Sequence, residues 1–293
     1  SRLLQRALQS LCSQSLPQDR FEVLVIDNDS SDDTAAVVSA AQRLSPNVRY
    51  FFEPRPGLHA GRHHGLKEAV SNNLVFADDD IRATPGWLTA IAENFADPGV
   101  AMVGGNNYPD FLAPPPAWLE RLCRPPRAGG QAIVAMLSLL SLPEGRREIS
   151  PLMIWGCNFA IRRKVLLEAG GFHPDAMPPE LIRFRGDGET HVSRYVAARG
   201  LRCMFDSDAS ILHAVPSERM TLDYLRKRAY NQGVSDSFTQ LRADAIPNDL
   251  AGYGAMVFAR RIVRGLTTRV REFGPGSVEL RELRHAVSAG RQE

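Results

Sequence analysis

Cysteine is scarce in this chain of 293 residues: the 4 present, Cys12, Cys123, Cys157 and Cys203, lie far apart and form no C-x-x-C pair. That excludes a zinc knuckle and a disulfide framework, and a reducing compartment is the default. Net charge is also nearly absent. With 35 Lys+Arg against 33 Asp+Glu the balance is +2, so no strongly basic face for nucleic acid is expected. The longest apolar run, Ala132 to Leu142, stops at Pro143, short of the ~20 residues that span a bilayer. No charged-then-apolar leader is seen and the chain opens on Ser1 rather than Met, so it reads as a processed or trimmed chain in the cytoplasm. Nothing repeats internally.

What is present is an ordinary globular composition, 44% hydrophobic and 23% charged, which excludes disorder and collagen and suits one large domain or two modest ones. Leu3, Leu4, Leu8 and Leu11 recur at helical spacing until Pro17. Phe21 to Ile26 then reads as a buried strand, Thr34 to Leu44 as a helix, Val48 to Phe52 as a strand, His59 to Val70 as a helix and Leu74 to Ala77 as a strand. Strand alternating with helix predicts an α/β fold with a mostly parallel sheet covered by helices. Beyond Met102 the pattern loosens, with Pro114-Pro115-Pro116 and Pro125-Pro126 marking loops. Further on, a helix is expected from Arg163 to Gly170-Gly171, another from Thr190 to Ala198, strands over Leu201 to Phe205 and Asp208 to His213, and helix from Pro216 onward.

In open sheets of this kind ligands gather at the carboxyl ends of strands, and two acidic clusters are predicted at one such edge. Asp78, Asp79 and Asp80 follow Leu74 to Ala77 directly. Carboxylates about 4 Å apart repel by roughly 4 kcal/mol at an effective dielectric near 20, and Mg²⁺ or Mn²⁺, which prefer oxygen ligands, would offset this. A solvated acidic turn is the plainer reading. The other cluster, Asp27-Asn28-Asp29-Ser30-Ser31-Asp32-Asp33, can accept from a nucleobase imide or ribose hydroxyls, or simply cap the helix at Thr34 through Asp32 or Asp33. It lacks the glycine of a calcium loop. Asp27 and Asp29 also fit the D-x-D nucleophile of a haloacid dehalogenase-type phosphatase.

Three weaker signals complete the set. Gly57 to Arg62 opens a helix whose free amides and Arg62 suit an anion, with an exposed surface arginine as the alternative. Asp187 and Glu189, in Gly186-Asp187-Gly188-Glu189 with Arg183, Arg185 and His191 nearby, can present a general base on a glycine turn or cap the next helix. His213, ending an apolar strand before Pro216, is either a metal ligand or a packed histidine.

In order and spacing these segments resemble a family 2 glycosyltransferase of the GT-A fold over most of Leu3 to Gln240. The matching elements are Val25 to Ser30 with Thr34, Gly57 to Gly65 around Arg62, Phe76 to Asp80 with Pro85-Gly86-Trp87-Leu88, Trp155-Gly156-Cys157-Asn158 with Arg162 and Gly170-Gly171-Phe172, Gly186 to Glu189, and His213. The resemblance implies that Asp27 and Asn28 hold the base, Asp29 and Arg62 assist at base or phosphate, and Asp78 and Asp79 reach the ribose. It places Mn²⁺ or Mg²⁺ on Asp80, with Asp78 and His213 as further ligands. Asp187 matches the family's acidic position best and Glu189 stands in reserve; the usual Glu-Asp is here Asp-Gly-Glu. Such enzymes usually begin with an apolar strand, whereas this chain starts in the helix that should follow it, either because its first residues are lacking or as a natural variant; with the strand truly missing, Val23 to Ile26 would lose a neighbour and donor affinity would be poor.

The function implied is metal-dependent, inverting transfer of a sugar from a nucleoside-diphosphate sugar to a carbohydrate or other hydroxyl acceptor, without nucleic acid. Residues 1–105 would bind the nucleotide sugar, 106–215 the acceptor, and 216–293 form a helical extension. A non-catalytic nucleotide-sugar-binding scaffold and the phosphatase are the alternatives. Ala255 to Phe273 interleaves Arg260, Arg261, Arg264, Arg269 and Arg271 with Val257, Phe258, Ile262, Val263 and Leu266; it reads as a helix packed on the domain or as a peripheral membrane contact.

Overall fold

The computed structural model describes residues 1–125, 129–172 and 188–243, with side chains as far as residue 234. They fall into two units, one ending at Met220 and one beginning at Thr221. The first opens with α1 (Arg2–Cys12), β1 (Val23–Asp27), α2 (Thr34–Leu44), β2 (Val48–Phe52), α3 (Leu58–Glu68), β3 (Asn73–Phe76), β4 (Ile81–Ala83) and α4 (Trp87–Asn94). It continues through β5 (Val100–Gly104), β6 (Asn107–Phe111), α5 (Ala117–Cys123), β7 (Ala132–Val134), β8 (Leu139–Ser141), β9 (Arg146–Glu148), β10 (Phe159–Arg162), α6 (Arg163–Glu168), α7 (Gly188–Ala198), β11 (Arg202–Asp206) and β12 (Ile211–Val215). Of the second unit α8 (Leu222–Ala243) is described; Thr221 caps it, its Oγ1 accepting the Tyr224 N–H at 3.2 Å.

The elements of the first 80 residues lie within two residues of their predicted ends. The α/β class holds, but the strands form three sheets rather than one. β1 and β2 pair in parallel as a two-stranded sheet. A five-stranded sheet runs β3-β10-β5-β11-β9 and another β4-β12-β6-β8-β7. Both are mixed: β5 and β11 pair in parallel, as do β6 and β12, while β10 runs antiparallel to β3 and β5. The helical crossover through α2 joins the parallel pair β1–β2, whereas β3 and β4 both take antiparallel partners from later in the chain. The two acidic strand ends therefore belong to different sheets. Among the described residues β1 pairs with β2 alone, and its Val23 to Ile26 are only half-buried.

The predicted strand at Asp208 begins later, at Ile211, because Asp206 accepts the Asp208 N–H on its side chain (3.0 Å) and the Ala209 N–H on its carbonyl (3.0 Å), closing a turn. Asp206 is itself buried, bonded by Asn94 Nδ2 (2.7 Å) and Arg146 Nε (2.8 Å).

Apolar burial positions the site. Leu66, Leu74, Met102, Phe159, Ile161, Leu166 and Phe172 fill the space between α3 and the β3–β10–β5 sheet. Trp87 and Ile91 of α4 pack with Val103, Ala160 and Ile211 on the other side. The indole of Trp87, fully buried, donates to Asn158 Oδ1 at 2.9 Å, and Asn158 Nδ2 donates to the Ala209 carbonyl at 2.9 Å. Two motifs that the sequence presents separately thus meet in one buried polar link, whose rupture would strand a donor without water. No helix among the described residues is long and apolar enough to cross a membrane.

Candidate active site

At the end of β1 the chain satisfies its own polar groups. Asp27 is buried; its Oδ2 accepts the Tyr50 hydroxyl at 2.7 Å and its Oδ1 the Ser30 N–H at 2.9 Å. Burial pushes this carboxyl upward, but the Ser30 and Tyr50 donors outweigh it and hold it below the ordinary 3.8. Asn28 Nδ2 donates to the Glu53 and Arg55 carbonyls, and its Oδ1 accepts the Gly57 N–H at 2.9 Å. Gly57 sits at φ 118°, a conformation natural to glycine. Exposed Asp29, at φ 60°, turns the chain in the left-handed region that aspartate tolerates. Asp33 stands at the N-cap of α2 without a side-chain capping bond, while Asp32 Oδ1 just before it accepts the Thr34 N–H at 3.1 Å and the Thr34 hydroxyl at 2.6 Å.

The turn between β3 and β4 carries the other cluster. Asp78 is half-buried, Asp79 exposed and Asp80 buried. Asp78, Asp80 and His213 each bring one ligand atom within 4.8 Å of the others. His213, buried on β12, has its Nδ1 3.0 Å from the Leu137 carbonyl. A carbonyl only accepts, so Nδ1 is the donor there and Nε2 is the atom turned to Asp80. It lies 3.2 Å from the buried Asp80 Oδ1, an ion pair when the ring is protonated. Two carboxylates and an imidazole converging in a buried corner also suit Mn²⁺ or Mg²⁺, which would take the place of that proton. Asp80 Oδ2 meets Arg219 Nη1 at 2.9 Å. Burial pushes the Asp80 carboxyl up, but His213 and Arg219 together bring it below its ordinary value. Burial raises Asp78 and Asp79, with Asp80 adding repulsion to both.

Arg62, on α3, is only 8% exposed. It faces Asp78 Oδ1 at 3.4 Å and Glu189 Oε2 at 3.2 Å, with its guanidinium 5.3 Å above the Phe172 ring. The exposed surface arginine offered as an alternative is not what the structure has: Arg62 is buried and its charge is met by two carboxylates, while the Gly57 amide is taken by Asn28. Glu189 opens α7. Burial pushes its carboxyl up, but Arg62 and His59 overcome this and hold it ionised below the usual range. A Cβ on Gly156 would lie 2.8 Å from Glu189 Oε1 and closer still to Arg62, so a side chain there would push the ends of these two side chains aside. Asp187, Arg183, Arg185 and Gly186 lie outside the described residues, as does the basic stretch 255–273.

Against this geometry stand the comparisons with known proteins. The family model for glycosyl transferase family 2 matches residues 1–170. This chain belongs to glycosyl transferase family 2. Glycosyltransferase AglE of Haloferax volcanii is 31% identical over 111 residues, 36% of either chain. The GalNAc(5)-diNAcBac-PP-undecaprenol beta-1,3-glucosyltransferase of Campylobacter jejuni is 32% identical over 106 residues, 36% of this chain and 33% of its own. The match therefore spans about a third of these relatives' length. A solved structure, the mannosyltransferase PcManGT from Pyrobaculum calidifontis in complex with GDP-Man and Mn²⁺, shares the fold with TM-score 0.62 at 19% identity, over 100% of this chain and 84% of that one. The α/β, GT-A-like expectation holds for this family 2 glycosyltransferase domain.

The phosphatase reading falls with that membership, and Asp27 shows why: both its oxygens are engaged by the protein. Arg219 and Tyr50 carry structural weight at the site that their sequence positions did not announce. The signal for Arg219 was only that a basic residue follows shortly after the strand bearing His213.

Proposed function

We propose that this family 2 glycosyltransferase moves a sugar from a nucleoside-diphosphate sugar to an acceptor hydroxyl with inversion, using Mn²⁺ or Mg²⁺ held by Asp78, Asp80 and His213. The observation that carries the reading is the convergence of Asp78, Asp80 and His213, whose ligand atoms lie within 4.8 Å of one another in a corner where Asp80 and His213 are buried. The metal and sugar nucleotide in the fold-sharing mannosyltransferase support it.

The β1 end, Asp27 to Asp29, is assigned to the base and the Asp78-Asp79 edge to the ribose, with residues 1–105 serving the donor and 106–215 the acceptor. Asn28 acts through the loop it clasps, since its amide is engaged by the chain itself. Asp78, Asp80 and His213 would hold the divalent ion, which when bound would supply positive charge to offset that of the departing diphosphate. An acidic side chain on the turn into α7, Asp187 or Glu189, takes the proton of the acceptor hydroxyl as its oxygen attacks the anomeric carbon opposite the leaving group. Arg62 keeps Glu189 ionised for that role and ties it to Asp78 on the donor side. The acceptor is a carbohydrate or other hydroxyl compound in a cytoplasmic setting, with the basic stretch 255–273 as a peripheral membrane contact.

Thermal melting with UDP, GDP and dTDP, each with and without Mn²⁺, tests the donor site: one diphosphate should raise the melting temperature in a metal-dependent way. Asp187→Asn and Glu189→Gln then separate the base from its neighbour, because loss of the base abolishes turnover and leaves donor binding nearly intact. Full donor binding with no transfer by the wild type would favour the scaffold alternative.

A further inference from the structure

Arg219 is left without a task by the reactions above, although it makes a direct ion pair with the most buried of the three aspartates. Resting on the metal and donor reading, we infer that Arg219 is a diphosphate-binding residue that neutralises Asp80 until donor and metal arrive together. Asp80 has two oxygens and two cationic or cation-seeking neighbours: Oδ1 faces His213 Nε2 and Oδ2 holds Arg219 Nη1. Asp78 stands beside it from the same turn, its oxygen within 4.8 Å of the Asp80 and His213 ligand atoms, so the corner gathers negative charge that a cation offsets. A guanidinium is always charged. A divalent ion on Asp80 would therefore share one carboxylate with a fixed cation, and the two repel.

An anion relieves that conflict. A diphosphate brings negative oxygens to the metal, and the planar fork of Arg219 matches phosphate oxygens in bidentate fashion. The position allows the exchange. Arg219 ends a short turn, Ser217–Arg219, directly beyond β12, and its side chain is 36% exposed while that of Asp80 is 9% exposed, so the guanidinium has a solvent-side route off the carboxylate. Arg219 is thus a competitor of the metal alone and a partner of the metal with its diphosphate, and binding of the two becomes coupled.

The test uses Mn²⁺ and inorganic pyrophosphate, which carry no base, on the whole chain. Mn²⁺ affinity is read by electron paramagnetic resonance, and pyrophosphate affinity at saturating Mn²⁺ by calorimetry, for wild type, Arg219→Ala and Arg219→Lys. Arg219→Ala should bind Mn²⁺ alone about tenfold more tightly and pyrophosphate about tenfold more weakly, with Arg219→Lys between on both. Opposite signs in one variant cannot come from general destabilisation. Unchanged or weaker Mn²⁺ binding in Arg219→Ala, or unchanged pyrophosphate binding, overturns the role of Arg219 and leaves the metal site standing. No Mn²⁺ binding by any of the three, with or without pyrophosphate, removes the metal reading and this inference with it.

Discussion

The aspartates ending β1 are satisfied by their own chain, whereas those ending β3 meet mainly cations and one another. Asp27 takes hydrogen bonds from Tyr50 and Ser30, and Asn28 closes its loop with three backbone groups. Asp78 and Asp80 instead face Arg62, Arg219 and the His213 imidazole, and they press on each other in a buried corner. Two acidic clusters that look alike in sequence thus differ in kind. One is a scaffold whose polar atoms are already spoken for, able to offer edges and backbone to a ligand. The other stores electrostatic conflict, and a site that retains such conflict is organised around something that binds.

The largest effect that would break this contrast is a swap in what the two clusters do. Asp80→Ala should cost on the order of a thousandfold in transfer rate with little change in melting temperature. Asp27→Ala should instead lose about 1–3 kcal/mol of stability by stranding the Tyr50 and Ser30 donors. Initial-rate assays beside urea denaturation decide it; a stability loss confined to Asp80→Ala would reverse the assignment. A smaller effect sharpens the scaffold side. Gly57→Ala, forced to hold φ 118°, should destabilise by about 1–3 kcal/mol, and an unchanged urea midpoint would show that the Asn28 clasp is loose.

The smallest effect is in pH. Glu53, buried next to the clasp, accepts the Arg55 side chain at 2.8 and 2.9 Å and the Arg55 N–H at 2.9 Å, which lowers its carboxyl from 4.5 to about 2. A group whose folded value is depressed stabilises fully above its unfolded value, so this contribution is present above pH 4.5 and drains away as the pH falls toward about 2. Denaturation midpoints for Glu53→Gln should lie below wild type at about pH 6 and converge with it in acid. A constant offset across that range would mean that packing, rather than charge, is what the substitution removes.

Much of the donor side was legible in the sequence. The helix Thr34–Leu44 and the strand Val48–Phe52 match their predicted limits, because apolar periodicity there is regular and bounded by turn residues. Asp80 and His213 were paired at a metal through the family resemblance, and the structure brings their ligand atoms within 4.8 Å of each other. The three-residue strands β4, β7, β8 and β9 were not legible, since three residues cannot display a period. Arg62 was read as facing an anion because a local motif cannot reveal that Glu189, 127 residues away, supplies its countercharge.

By itself the sequence determined which residue types stand at the strand ends, where the first helices and strands run, and hence the family's chemistry of oxygen ligands beside a base. Only the tertiary structure decided which of those polar groups are satisfied and which are left in conflict. Hydrogen bonding and desolvation depend on what the folded chain carries into each corner, and the decisive partners, Tyr50 for Asp27 and Arg219 for Asp80, come from different strands and turns.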